Sequence, residues 1–528
     1  MSSLPLLFGP SAAAAPADRL RGLLHAVFGL ADFRPGQEAV CRAAAEGRDV
    51  LLVMPTGAGK SLCYQLPGLA RGGTTLVVSP LIALMEDQVA RLDALGLRAA
   101  RVHSGRGRAE VHGACRAYLD GRLDFLFLAP ERLAAPGFPE LLARGRPALV
   151  AIDEAHCISH WGHDFRPDYR LLGERLPGLR PAPVVALTAT ATPAVQDDVC
   201  RQLGLADPAR FLLGLRRTNL AIEVVELPPS ARRAAVLGLL ADPAHRPALV
   251  YTPTRKEAAA LAADLAAAGL AAAPYHAGLA AAERARARTA FLAGALDVVV
   301  ATIAFGMGID KADVRTVVHT ALPASIEGWY QEIGRAGRDG LPARAVLLHS
   351  FADRRLQEAL LERDAPDPER RAHRRAMLGA IGRCAEGQEC RMLAFLRHFG
   401  DEQDAGGPCG LCDACAPARC AVRRFRPPTA REAGGLHRLL DALHETDGQT
   451  PGQLGRALAG DGLDRARCDR LLGGLHRAGL VRLAADSFAR DGEEVHFQRA
   501  HLTEEAWRGG WEDLAARVLL PEERRRTS

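Results

Sequence analysis

The apolar run Ala148-Leu149-Val150-Ala151-Ile152 ends directly on Asp153 and Glu154. A short continuous apolar run fits a strand buried on both faces, as in a parallel sheet covered by helices. The two carboxylates then stand at the carboxyl edge of that sheet, where open α/β sheets bind ligands. There Asp153 can hold Mg²⁺, directly or through water, and Glu154 can orient and deprotonate an attacking water. His156 lies beside them as a further catalytic candidate. Two acids that merely open a helix would be the plainer reading, but a phosphate loop lies upstream.

That loop is Met54-Pro55-Thr56-Gly57-Ala58-Gly59-Lys60-Ser61. Val50 to Val53 before it read as a strand, and Ser61 to Leu66 after it can open a helix. The glycines let the backbone curl so that N–H groups face phosphate oxygens, and the helix N-terminus adds partial positive charge. Lys60 would reach the β- and γ-phosphates of ATP, and the Ser61 hydroxyl would hold Mg²⁺. Met54 stands where the full eight-residue pattern has glycine, so Thr56, Gly57, Ala58, Gly59, Lys60 and Ser61 carry the assignment. Of the 67 lysines and arginines only Lys60, Lys256 and Lys311 are lysine. In so arginine-biased a chain, a lysine here points to a need for a compact ammonium rather than a planar fork.

A chain of 528 residues, 48% apolar and 24% charged, is long enough for three or four domains with ample cores. The net charge of +5 allows a nucleic-acid partner without requiring one. No apolar stretch approaches the roughly 20 residues that span a bilayer. The apolar, alanine-rich N-terminus lacks a basic leader and reads as a loose tail over 1–19. Cys41, Cys63, Cys115, Cys157, Cys200 and Cys468 stand singly, and the others crowd between Cys384 and Cys420. That pattern fits a cytoplasmic chain with one metal site better than a disulfide scaffold.

Two alternating strand–helix blocks follow, over 20–213 and 214–350. Candidate strands are Val50–Met54, Thr75–Ser79, Asp124–Ala129, Ala148–Ile152 and Val184–Thr188 in the first. Ala248–Tyr251, Asp297–Ala301, Arg315–His319 and Arg344–Leu348 are those of the second. Thr254 to Glu257 has capping-box form and opens an alanine-rich helix that ends near Gly269. Residues 351–420 are helical and then cysteine-rich. A basic linker over 421–430 leads to three helical patterns and two short strands around a polar turn, over 431–511. The remainder, 512–528, reads as a tail.

These motifs, in this order, resemble the RecQ-type DNA helicases of superfamily 2, from roughly Leu20 to Leu502. The resemblance implies two tandem RecA-like parallel-sheet domains, a helical zinc-binding segment and a winged-helix domain. It also implies a short form, without the further C-terminal helicase-and-RNase-D-like domain. The segment Phe28 to Gln37 is similar to the family's leading motif, in which Gln37 reads the adenine edge with Arg34 nearby; Leu30 stands where relatives stack an aromatic. Val77 to Gln88 and Ala129 to Leu133 resemble strand-contacting motifs, which brings in Ser79, Pro80, Gln88 and Pro130. Ala186 to Ala191 would couple hydrolysis to movement. Trp161, Phe165 and Arg166, in a chain with only 5% aromatics, form a candidate strand-sensing loop beside the acids. A local aromatic cluster packed under that loop is the alternative.

In the second block Ala301 to Lys311, with Gly308 and Asp310, and Gln331 to Gly340 are the close matches. Arg335 and Arg338, three apart, could share a helix start that aims both across the cleft. Phosphoryl transfer needs positive charge at the γ-phosphate. By resemblance Arg338 supplies it, with Arg335 assisting and Gln331 among the catalytic residues. Cys409, Cys412 and Cys415 sit at two-residue spacing suited to one tetrahedral Zn²⁺. Cys390 matches the family's fourth ligand, and spacing leaves Cys384 and Cys420 open; an iron–sulfur cluster is the other metal reading. Arg456, Arg465, Arg467, Arg477 and Arg482 are candidates for duplex phosphates, and Phe488 for a wedge in the wing.

The expected activity is ATP- and Mg²⁺-dependent unwinding of duplex DNA by 3′→5′ travel on single-stranded DNA, in recombination and repair. A DNA translocase without efficient unwinding and an RNA helicase are the alternatives. Single-strand-binding protein and repair factors are expected partners. The chain is expected to be a monomer, with no membrane association and a cytoplasmic, nucleoid-associated place in a bacterium.

Overall fold

The computed structural model describes residues 15–522 except 163, 206, 304, 306–310, 351–352, 354–356, 358–367, 388, 403, 405, 491–492 and 509–516. Strands β1 (Val50–Val53), β2 (Thr75–Val78), β3 (Ala99–Val102), β4 (Phe125–Leu128), β5 (Leu149–Ile152), β6 (Val184–Thr188) and β7 (Ala209–Leu212) form one sheet. Its order is β3-β4-β2-β5-β6-β1-β7 and every pairing is parallel. The central strands are buried on both faces, as their unbroken apolar runs require. Val50, Leu52, Val77 and Ala151 enter one core, while Leu51, Val53, Val78 and Ile152 enter the other. The period of two is thus present in the packing although no polar residue marks it in the sequence.

Strands β8 (Leu220–Glu226), β9 (Ala248–Tyr251), β10 (Ala272–Tyr275), β11 (Val298–Ala301), β12 (Thr316–His319) and β13 (Ala343–His349) form a second parallel sheet. Its order is β10-β11-β9-β12-β13-β8. Sequence reading finds the inner strands of both sheets to within one residue and misses β3, β7, β8 and β10. All four are sheet edges. Three of them are only partly buried and carry residues that interrupt an apolar run, Arg101, Arg210 and Pro274. Proline is tolerated on an edge because its missing N–H has no ladder to break. In the fourth, β8, the interruption is the buried Glu223.

Beyond β13, helices Pro368–Glu386 and Arg391–Phe399 lead into the cysteine loop. Phe395 packs edge-on against Trp329 and Tyr330 of the second block, at centroid distances of 5.0 and 5.2 Å. One continuous core therefore joins the first sheet, the second sheet and this helical segment. The basic stretch 421–430, expected as a linker, is docked instead. Glu223 accepts hydrogen bonds from the backbone N–H groups of Ala421, Val422 and Arg423. β14 (Phe425–Arg426) also pairs with a strand from the C-terminal stretch.

The C-terminal unit has helices Ala430–Glu445, Pro451–Ala457 and Arg465–Arg477, and then the antiparallel hairpin β15 (Val481–Arg490) and β16 (Glu493–Leu502). Three helices followed by a hairpin form a winged-helix arrangement, and the hairpin is longer than the sequence indicated. Thr429, Thr450 and Asp464 cap the three helices. The stretch expected as a tail is partly structural: β17 (Leu520–Pro521) is the partner of β14, and Val518 and Leu520 are fully buried. Among the described residues no helix is long and apolar enough to cross a membrane.

Candidate active site and nucleic-acid interface

β1 delivers the glycine loop and β5 delivers the acids, with β6 between them. Gly57 and Gly59 adopt φ of +82° and +95°, a region that side chains rarely occupy. A Cβ on Gly57 would lie 2.8 Å from Arg338 Cδ, and one on Gly59 would lie 2.6 Å from Gln37 Nε2. The loop is thus closed over by the second block on one side and the leading motif on the other. Lys60 Nζ is buried and has no hydrogen-bond partner among the described residues. Burial lowers its pKa, and Glu154 and Asp153 oppose that shift. An orphaned buried ammonium in a glycine cradle fits a polyphosphate, which would supply the missing acceptors.

Glu154 takes a left-handed conformation, φ 48°, which an L-residue holds only under constraint. Its N–H donates to Asp153 Oδ1 (3.0 Å), and Tyr169 Oη donates to the Asp153 carbonyl (2.9 Å). The acids therefore open a tight 3₁₀ turn, Ala155–Ile158, rather than an α-helix. Burial first, and then the neighbouring Glu154 carboxylate, push Asp153 up to about 7, with Lys60 acting in the opposite sense. A divalent cation would reverse that shift, so the donor set of Asp153 and Ser61 fits Mg²⁺. His156 Nδ1 lies 2.8 Å from Thr188 Oγ1, which links the acids to the end of β6.

Arg335 and Arg338 do not open a helix. Helix Ile326–Ile333 ends before them, and both stand in the turn that follows. Arg335 is buried beside Tyr251. Arg338 reaches Gly57, and it lies close enough to Lys60 to lower that group's pKa. Thr56 Oγ1 abuts Gly334 at the same crossing. Gln331 is on the last turn of the helix.

Sequence reading missed what holds this turn. Arg217 donates to the carbonyls of Gly334, Ala336 and Gly337, and Asn219 Nδ2 donates to Gly337 and Leu341 (both 2.8 Å). More than a hundred residues separate these partners. Two polar residues ahead of a strand were the only signal available.

Arg34 and Gln37 border the phosphate loop. Arg34 Nη1 donates to the Gly57 carbonyl (2.8 Å), and Gln37 Nε2 faces the carbonyls of Ala58 and Gly59 (3.2 and 3.3 Å). Both brace the phosphate loop, while Leu30 remains exposed beside them. Gly308 and Asp310 lie outside the described residues.

The strand-contacting candidates divide in two. Ser79 and Pro130 are buried, and the Ser79 N–H donates to the Leu128 carbonyl. Gln88 does not face outward: it bonds Ser61 Oγ (3.3 Å) and Gln65 (3.1 Å), which ties that motif to the phosphate loop. Arg166 bonds Asp164 and the Pro80 carbonyl (3.1 Å). Trp161 is 39% exposed and meets His373 of the helical segment edge-on at 5.1 Å. Phe165 stacks on His160 at 4.0 Å, so the aromatics form both a local cluster and an exposed face. In the C-terminal unit Arg456, Arg465 and Arg482 are exposed, and Arg467 donates to the Gly462 carbonyl. Arg477 lies over Phe425 at 5.1 Å and donates to the Leu519 carbonyl. The Phe488 side chain is outside the described set.

The sulfurs of Cys390, Cys409, Cys412 and Cys415 lie within 4.8 Å of one another. Cys384 and Cys420 stand apart from that group, which settles the fourth position in favour of Cys390. The neighbouring thiols Cys409, Cys412 and Cys415 hold Cys390 well below the usual thiol range through hydrogen bonds. Four convergent thiols with a shared negative charge fit one tetrahedral Zn²⁺. Arg391, beside Cys390, forks onto Asp413 between Cys412 and Cys415.

Three family models match the chain: a DEAD/DEAH box helicase over 34–199, a helicase conserved C-terminal domain over 232–340 and a RecQ zinc-binding domain over 351–416. The chain is 44% identical over 396 residues to the ATP-dependent DNA helicase RecQ of Pasteurella multocida, covering 74% of itself and 61% of that protein. It is 41% identical over 408 residues to RecQ of Bacillus subtilis, covering 77% of itself and 68% of that protein. It thus spans less than two thirds of the length of the Pasteurella relative. Among solved structures it shares the fold of the Mycobacterium smegmatis helicase Lhr bound to ssDNA and AMP-PNP. There the TM-score is 0.51 at 20% identity, over 94% of this chain and 61% of that one.

Proposed function

This chain belongs to the RecQ family, and on that footing we propose that it is an ATP-dependent DNA helicase that moves 3′→5′ on single-stranded DNA and unwinds duplex in recombination and repair. The observation that carries the reading is the crossing of the two blocks at one point. There Lys60, Asp153 and Glu154 of the first block face Arg338 of the second across Gly57. Catalysis of phosphoryl transfer is largely positioning and charge, and this arrangement supplies both. Lys60 binds the β- and γ-phosphates, and Thr56 to Gly59 cradle them. Ser61 and Asp153 would hold Mg²⁺, which screens charge on the phosphates. Glu154 orients and deprotonates the attacking water. His156 carries the state of the acids to Thr188. Arg338 supplies positive charge at the γ-phosphate during cleavage, with Arg335 assisting and Gln331 a further catalytic residue.

Coupling to DNA follows from shared elements. The Ser79 to Gln88 motif ends on Ser61, and the Trp161 to Arg166 loop begins at the acids and touches Pro80 and His373. We assign single-stranded DNA to the face lined by Trp161, Phe165 and Arg166, with the segments of Ser79, Pro80 and Pro130 beside it. Duplex is assigned to the exposed arginines of the C-terminal unit. The ten-residue strands of β15 and β16 favour a strand-separating wing, and so unwinding over translocation alone. Structural Zn²⁺ at the four cysteines would brace the helical segment between sheet and wing. The domain limits 20–213, 214–350, 351–420 and 431–511 belong to this proposal, with 431–511 extended to include Val518 and Leu520. So do a monomeric state, a cytoplasmic, nucleoid-associated place, and contact with single-strand-binding protein or repair factors.

The test is ATP-dependent displacement of a labelled strand from duplexes with a 3′ or a 5′ single-stranded tail. Unwinding of the 3′-tailed substrate alone is expected. Hydrolysis stimulated by DNA without displacement would reduce the reading to a translocase, and stimulation by RNA alone would replace it.

A further inference from the structure

His156, Cys157 and Asp164 bring a ring nitrogen, a thiol sulfur and a carboxylate oxygen within 4.8 Å of one another. Cys157 Sγ lies 3.8 Å from His156 Nε2 and 3.9 Å from Asp164 Oδ2. A tetrahedral zinc ion with Zn–S of about 2.3 Å and Zn–N or Zn–O of about 2.1 Å needs edges of about 3.6 Å between such atoms. The four-cysteine cluster, with sulfur pairs 3.4 and 4.0 Å apart, departs from its own ideal of about 3.8 Å to a similar degree. His156 is already oriented: its Nδ1 engages Thr188 Oγ1 at 2.8 Å, and its Nε2 is directed at Cys157. Such an outer contact fixes the ring of a metal-binding histidine. The Glu154 carboxylate, 3.4 Å from Nδ1, adds negative charge nearby. Weak hydrogen bonds of the Cys157 sulfur accompany both distances, and the three donor atoms nevertheless converge on one point.

The geometry points to an exchangeable site for a thiophilic dication of the Zn²⁺ or Cd²⁺ class, held by His156, Cys157 and Asp164 and distinct from the four-cysteine cluster. Sulfur and imidazole donors select such ions over Mg²⁺. Three protein ligands leave the fourth position to water, and Asp164, 36% exposed, is the way in. The ion has a predictable effect on its surroundings. Asp164 Oδ2 is also the acceptor for Arg166, whose guanidinium reaches Pro80. Binding the ion draws Asp164 from Arg166 and clamps His156, so the link between the acids and the strand-sensing loop is fixed. Occupancy therefore holds hydrolysis off. That inhibitory consequence rests on the helicase reading; the site itself does not.

The test uses the full chain with its four-cysteine cluster loaded. Zinc uptake is measured by equilibrium dialysis in excess Mg²⁺, and hydrolysis is followed in the same samples. The wild type is expected to take up one ion per chain beyond the structural one and to lose at least about tenfold in DNA-stimulated hydrolysis, restored by a chelator. Cys157→Ala is expected to keep its hydrolysis and take up no additional ion, and Asp164→Asn, which retains the side-chain shape, to bind more weakly. Equal uptake by wild type and Cys157→Ala would overturn the site. Uptake confined to the wild type without loss of hydrolysis would overturn its inhibitory role. Failure of the chain to hydrolyse ATP at all would count against the helicase reading and leave the difference in uptake intact.

Discussion

Replacing Arg391 by methionine tests how the cysteine cluster is held. Arg391 is 3% exposed and Asp413 is 4% exposed. The guanidinium donates from Nε and Nη2 to the two carboxylate oxygens at 2.9 and 2.8 Å, and from Nη1 to the carbonyls of Cys384 and Gly387 at 2.7 and 2.6 Å. Methionine fills much of the space but leaves Asp413 buried without its partner. Removing one member of a buried, hydrogen-bonded pair costs about 3–5 kcal/mol, because the other charge stays desolvated. Arg391→Met/Asp413→Leu removes both charges and is expected to recover most of that loss, since a buried pair contributes little net stability over apolar residues of similar size. A chain of several domains does not unfold in two states, so a local readout is needed. Release of zinc to a chromogenic chelator reports opening of this segment. If release follows the open population, a loss of about 3–5 kcal/mol accelerates it by roughly 10²- to 10³-fold or more. Release within about threefold of wild type for Arg391→Met, or equal rates for the single and double variants, would refute the reasoning, because it would mean that Asp413 is hydrated in the open and closed states alike.

Other expectations follow from the same structure. Arg338→Ala should lower turnover about 10³-fold or more with DNA binding intact, as loss of an arginine aimed at the γ-phosphate does; an unchanged rate constant would remove it from the site. Lys60→Ala and Glu154→Gln should each abolish turnover while retaining DNA binding, and wild-type hydrolysis by Glu154→Gln would eliminate the general-base role. Trp161→Ala should leave basal hydrolysis unchanged and reduce its stimulation by single-stranded DNA, read by titrating DNA against rate. His349 is held down to about 4, first by burial and then by Arg391, Arg232 and Arg423 against Asp353. The folded state therefore binds fewer protons than the unfolded state, and stability is lost as pH falls from about 6.5 towards about 4, by up to about 3 kcal/mol. His349→Gln should flatten that part of the pH profile of local opening around β13, read by limited proteolysis; an identical slope in both proteins would assign the loss elsewhere.

The inner strands were legible because a strand buried on both faces must be apolar throughout, and the functional loops were legible because they stand at the ends of those strands. Gly57, Gly59, Lys60, Asp153 and Glu154 are chemistry in short contiguous segments, and the backbone alone sets their spacing. The cysteines were legible as a group for the same reason, except for the fourth, where the resemblance favoured Cys390 but spacing left Cys384 and Cys420 open until the helix Arg391–Phe399 placed Cys390 at the cluster. Edge strands such as β3 and β10 were not legible, since half-exposed strands need no apolar run. Nor was the bracing of the arginine turn by Arg217 and Asn219, or the turning of Gln37 and Gln88 onto the phosphate loop. In these cases a buried backbone carbonyl or hydroxyl needs a partner, and which distant side chain supplies it depends on how the layers pack. Two parallel-sheet blocks, a phosphate-binding loop, a pair of acids and a thiol cluster suited to a metal can all be read along the chain. The closing of Arg338 on Gly57, the docking of residues 421–423 on Glu223 and the completion of the last core by the C-terminal stretch come from the packing of the layers. Such long-range pairings satisfy groups that local spacing leaves unsatisfied, and no period in the chain encodes them.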